Sequence, residues 1–99
     1  MFKNGMRPVH PGEILREDYL AELDMSANAL AKALKVPAPR VNDIVRERRG
    51  VSADTALRLA RYFDTTPQFW LNLQTAYDLR LAEAESGKKI RREVMPKAA

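Results

Sequence analysis

Apolar residues recur along this chain at helical spacing, in short segments separated by turn-forming residues. Leu15, Tyr19 and Leu23 follow at intervals of four, with Ile14 and Leu20 beside them, which predicts a helix over residues 11–23. His10-Pro11-Gly12-Glu13 opens it: proline is comfortable in a first helical turn, and an early glutamate suits the positive end of the dipole. Behind Ser26, a good N-cap, Ala27, Leu30, Ala31 and Leu34 give the i, i+3, i+4, i+7 pattern of a second helix. Lys35 and Val36 interrupt it. A third helix begins near Ala38, with Pro37 and Pro39 restricting its first turn, and Val41, Ile44 and Val45 share one side of it. With Pro37 as the cap, Val36 and Val41 occupy the two positions of a hydrophobic staple. Gly50 reads as the stop of this helix. Ser52 caps a fourth helix carrying Ala56, Leu59, Ala60 and Phe63, and Thr66-Pro67 starts a fifth that runs to about Ser86, before Gly87.

No segment alternates like a strand over a useful length. The pattern therefore predicts an all-α bundle of five helices, with a flexible N-terminal arm over residues 1–10, a helical domain over 11–86 and a basic tail over 87–99.

Residues 26–50 carry the most information. Two short helices joined by a tight turn make a helix-turn-helix if they cross closely, which requires a small residue on the first; Ala31 sits there. Leu30 and Leu34 can bury against Val41 and Ile44. At 100° per residue, Pro39, Asn42, Asp43 and Arg46 then point away from the buried side, with Arg40 on the flank and Ala38 at the leading end. These residue types suit base edges in a major groove: arginine bonds guanine, asparagine suits adenine, and aspartate accepts from cytosine. Arg48, Arg49, Lys35 and the capped helix ends at Ser26 and Ser52 are placed to hold phosphates.

Charge sharpens this picture more than composition does. Of 99 residues 45% are hydrophobic and 30% charged, ordinary for a globular domain. The formal charge is +4. Five cations (Lys35, Arg40, Arg46, Arg48, Arg49) stand against two anions (Asp43, Glu47) in residues 35–49, and a second basic cluster, Lys88, Lys89, Arg91, Arg92 and Lys97, lies near the C-terminus. No apolar run approaches the ~20 residues of a membrane span, so no membrane partner is expected. Residues 1–10 lack the apolar stretch of a secretory leader. Cysteine is absent, which removes disulfides, thiolate catalysis and cysteine metal sites.

Across residues 69–82 the apolar positions form two faces. Trp70, Leu73, Tyr77 and Leu81 make one; Leu71, Leu79 and Ala82 lie on another. A helix with two apolar faces has two surfaces to bury, the core and either the rest of the bundle or a symmetry mate. A two-fold interface built on Phe69, Trp70, Leu73 and Tyr77 is the expectation, and a dimer also suits half-sites about one DNA turn apart.

The run Ala29-Leu30-Ala31-Lys32-Ala33-Leu34, then Val36 and Val41-Asn42-Asp43-Ile44, resembles the phage-repressor (XRE, Cro/CI-type) helix-turn-helix family. His10-Pro11-Gly12-Glu13-Ile14-Leu15, Ala56-Leu57-Arg58-Leu59-Ala60 and Thr66-Pro67-Gln68-Phe69-Trp70-Leu71-Asn72-Leu73-Gln74 resemble its HigA/VapI group of antitoxins. The resemblance covers roughly residues 10–80. It implies a phage-repressor-like bundle and a homodimeric, cytoplasmic protein. Such a protein binds double-stranded operator DNA at its own promoter and neutralises a HigB-type toxin that cleaves messenger RNA. Three positions depart from the pattern. The family commonly has glycine where this chain has Lys35, which points to an altered turn, and Ser, Thr or Gln often stands where Pro37 and Pro39 are.

Other readings stay open at this level. A stand-alone repressor of the same family has no toxin partner, and an adaptor has lost DNA binding altogether. Catalysis has little to build on. His10 and Glu13 are an i, i+3 pair without a third nitrogen or sulfur donor, so neither a metal nor another cofactor is expected.

Overall fold

Each helix begins where the sequence supplies a cap. The computed structural model describes residues 7–98, and residues 1–6 of the expected arm lie outside the described residues. His10 accepts the Gly12 N–H on Nδ1 at 2.8 Å, Ser26 accepts from Ala29 at 3.0 Å, Ser52 from Thr55 at 3.3 Å, and Thr66 from Phe69 at 3.1 Å. Five helical segments follow: α1 over residues 11–23, α2 Ala27–Leu34, α3 Ala38–Val45, α4 Ala53–Phe63 and α5 Pro67–Glu93. No strand occurs among the described residues. None of their helices is long and apolar enough to cross a membrane.

The first four helices end in one recurring way. Asp24, Lys35, Glu47 and Asp64 stand at positive φ, between 52° and 63°, and the next residue donates its N–H back across a six-residue turn. The pairs are Met25 to the Leu20 carbonyl, Val36 to Ala31, Arg48 to Asp43 and Thr65 to Ala60, at 2.8–3.0 Å. Glycine usually fills this left-handed position; here a polar side chain takes it every time. The turn between α2 and α3 is thus not altered by Lys35, which adopts φ 63°, ψ 42°. Nor does Gly50 end α3: Glu47 does.

α1 is not a uniform α-helix. Pro11–Ile14 and Ala21–Leu23 flank a π-helical stretch, Leu15–Leu20, where the Ala21 N–H reaches the Arg16 carbonyl five residues back. That slip changes which side chains face inward. Leu15 and Leu20, five apart, are both buried, whereas Leu23, expected inside from its spacing of four, is 56% exposed.

The core gathers Leu15 and Leu20 of α1, Leu30, Ala31 and Leu34 of α2, Val41 and Ile44 of α3, Val51, Ala56, Leu59 and Ala60 in and before α4, and Trp70 of α5. Trp70 is wholly buried. Its indole N–H donates to Thr65 Oγ1 at 2.9 Å, and Tyr19, Phe63 and Phe69 surround its ring at centroid distances of 5.1, 6.3 and 5.0 Å. A buried indole with its one donor satisfied needs no further partner.

α5 is the outlier in shape. Its 27 residues reach ~40 Å, which draws the molecule out to 52 × 26 × 22 Å. It continues seven residues past the expected end near Ser86, so Lys88, Lys89, Arg91 and Arg92 of the basic tail are helical and exposed. Among the described residues beyond Leu81, only Ser86 and Gly87 lose much of their exposure.

The start of α1 is buried rather than loose. His10 is 3% exposed and its ring meets Tyr77 edge-on at 4.8 Å, while Arg7 forms a paired ion contact with Glu13 at 2.8 and 2.9 Å. Burial, helped by Arg16, outweighs Glu47 and Asp78 and holds the His10 imidazole below its ordinary value. A proton on Nδ1 also destroys the cap. The unfolded chain takes up this proton near pH ~6.5 while the folded one resists, so stability is full above that pH and falls as the solution is acidified through it. The denaturant midpoint is therefore expected to drop between pH 7.5 and 5.5. His10→Asn, which keeps a capping oxygen and cannot titrate, is expected to lose that part of the slope.

Candidate nucleic-acid interface

α2 and α3 pack on each other through Leu30, Ala31 and Leu34 against Val41 and Ile44, all buried. The opposite side of α3 is therefore turned outward. Pro39 and Arg46 are exposed there, and Asn42 and Asp43 are half-buried. Ala38, half-buried, is the first residue of α3, and Ser26 caps the adjoining start of α2.

The far end of α3 is clamped by α1. A Cβ on Gly12 would lie 1.8 Å from the Ile44 carbonyl oxygen, so only glycine lets the two backbones meet this closely. Arg16 donates to the Val45 carbonyl and reaches Glu47 at 3.5 Å. A cation on the last carbonyls of a helix also meets the negative end of its dipole. Arg16 had no signal in the apolar pattern, because it acts through its guanidinium across an element boundary. From the other side Gln74 of α5 accepts the Val51 N–H at 2.7 Å and holds the segment that follows α3.

The sequence-predicted residues separate into free and committed groups. Arg40 turns to Asp54 at 2.7 Å, and Asp54 also holds Arg58 at 2.8 Å; the two guanidinium groups keep its carboxyl below the usual aspartate range, Arg58 contributing first. Arg58 donates further to the Leu34 carbonyl at 2.9 Å. Arg40 thus ties α3 to α4 and does not face the same way as Pro39. Arg49 lies 3.6 Å from Asp43. Lys35, Arg46 and Arg48 are exposed and make no side-chain ion pair or hydrogen bond among the described residues.

Asn42 has a partner that the helical pattern missed. Its amide nitrogen donates to Asn28 Oδ1 at 2.7 Å and to the Ala38 carbonyl at 3.0 Å. Both amide hydrogens are engaged, and its oxygen is left to accept. Asn28 and Lys32, exposed on α2, share a shallow hollow with Lys35, which extends the basic edge beyond the residues read from sequence.

The expected dimer residues do not form one surface. Trp70 is interior, Leu73 packs on the core, and Tyr77 is half-buried against His10. Only Phe69 keeps a substantial exposed area, at 37%. The exposed apolar side chains of α5 lie farther along: Leu79 at 65% and Ile90 at 51%, with Ala82 lining the same hollow.

This geometry has close counterparts. A helix-turn-helix family model matches residues 15–70. The virulence-associated protein I of Dichelobacter nodosus is 63% identical over 83 residues, 84% of this chain and 77% of that one. Antitoxin HigA-1 of Vibrio cholerae is 39% identical over 80 residues, 80% of this chain and 74% of its own length. A solved structure of the Pseudomonas aeruginosa antitoxin HigA with the higBA promoter superimposes with a TM-score of 0.90 at 62% identity, covering 93% of this chain and all of that one. The chain belongs to the helix-turn-helix family, in its HigA/VapI-type antitoxin group.

Proposed function

We propose that this chain is a dimeric, DNA-binding antitoxin that represses its own promoter and neutralises a HigB-type toxin. The observation that carries the reading is α3, braced at both ends with its polar side outward, in a fold that a relative uses with promoter DNA. Two copies lay their α3 helices in successive major grooves and exclude polymerase. The action is steric and needs no catalytic group, and the cysteine-free chain suits a reducing cytoplasm.

Within this reading, Ser26, Lys35, Arg48 and Arg49 position the protein on phosphates, with Lys32 added to that set. Arg46 and the second turn of α3 face the bases. The dimer is held by the projecting part of α5, through Leu79, Ala82 and Ile90, rather than by Trp70. Residues 11–93 act as one helical unit, with the basic cluster at its end.

Four outcomes test this. A duplex of the chain's own promoter should be retarded specifically, with log affinity falling against log salt at a slope of about −7 for the four phosphate-holding cations of each subunit. Arg46→Ala should cost ~1–3 kcal/mol on that duplex and little on random DNA; equal losses on both make it a phosphate contact. Leu79→Glu should convert a dimer into a monomer in sedimentation at tens of micromolar, whereas an unchanged dimer moves the interface elsewhere. Growth arrest by the product of the adjoining reading frame should be relieved by co-expression of this chain, and failure of relief leaves a repressor without a toxin partner.

A further inference from the structure

We propose that the leading edge of α3 recognises thymine by its methyl group, through Pro39 with Ala38 beside it. This rests on the DNA-binding reading above and adds which base its first turn selects. Pro37, Ala38 and Pro39 carry no polar side-chain atom. Two of the three lack a backbone N–H as well, and Pro37 caps α3 without any side-chain bond. The next N–H, of Arg40, is donated back to the Pro37 carbonyl at 3.0 Å. The tip of this helix therefore offers almost no donor to a phosphate or to a base edge.

The polar side chains that follow in α3 are engaged elsewhere. Arg40 is drawn to Asp54 at 2.7 Å, and the Asn42 amide hydrogens go to Asn28 and to the Ala38 carbonyl. Pro37 and Pro39 are exposed and Ala38 is half-buried, so the surface that enters first is aliphatic. In a major groove the thymine C5 methyl is the apolar group that such a surface can bury. Against the other edges, proline covers donors and acceptors without replacing their hydrogen bonds, which is unfavourable. Selection thus works from both directions.

The promoter duplex made with thymine is compared with the same duplex made wholly with deoxyuridine, which lacks only that methyl, with a random duplex as reference. The wild-type protein should bind the deoxyuridine duplex about tenfold more weakly over two half-sites, with no change on random DNA. Pro39→Ser, which suits a first helical turn, should bring the ratio between the two promoter duplexes close to one. Equal wild-type affinity for both, or an unchanged ratio in Pro39→Ser, overturns the assignment to Pro39. Absence of specific binding even to the thymine duplex overturns the DNA-binding reading itself, and this inference with it.

Discussion

The rest of the structure depends on a backbone contact: the first turn of α1 lying directly on the last carbonyls of α3. Gly12 permits the approach to Ile44, and Arg16 occupies the Val45 carbonyl. The positive end of one helix thus meets the negative end of another. An eight-residue helix such as α3 is marginal by itself in water, and its own buried side chains are only Val41 and Ile44. Its direction is set from outside. The buried His10 cap fixes the first turn of α1, and Glu47 closes α3 with its carboxylate 3.5 Å from the Arg16 guanidinium.

Cations around α3 are not equivalent, although the sequence lists them side by side. Arg40 and Arg58 converge on Asp54, a three-residue group that links α3, α4 and the end of α2. Being exposed, its ion pairs are individually weak; their effect is to fix where Arg40 points. Lys35, Arg46 and Arg48 keep their charge unpaired among the described residues. Net positive charge is left beside α3, apart from the second basic cluster at the end of α5. For Arg40 the distinction arises from the tertiary placement of Asp54, fourteen residues away in the chain.

Much of the fold was legible because helices and their starts are local. Ser26, Ser52 and Thr66 each cap as their type predicts, and the buried set Leu30, Ala31, Leu34, Val41 and Ile44 follows the helical period. The ends were harder. Every left-handed stop is a charged residue where a reader looks for glycine, and Gly50, the glycine that was available, plays another part beside Gln74. The π-helical slip exchanged Leu20 for Leu23 in the core, since one extra residue in a turn rotates everything after it. Of the candidate site, the identity of the outward face was readable, but the destinations of Arg40 and Asn42 were not, because their partners Asp54 and Asn28 sit on other helices. Trp70 looked like half of an interface only because one sequence does not say how far the aromatic residues Tyr19 and Phe63 wrap around it.

The α1 clamp and the aliphatic tip of α3 make sense together. A hydrogen bond to a base edge tolerates a few tenths of an ångström of drift, and a long arginine follows the base if the helix shifts. A methyl contact has no such reach: dispersion falls steeply once a gap of half an ångström opens. A recognition helix that begins Pro-Ala-Pro therefore gains specificity only if its backbone is held in place. Here the far end is gripped by Gly12 and Arg16, the near end by the left-handed Lys35 turn, and the flank by Arg40. The clamp thus supplies the rigidity that an aliphatic contact at the proposed α3 tip requires.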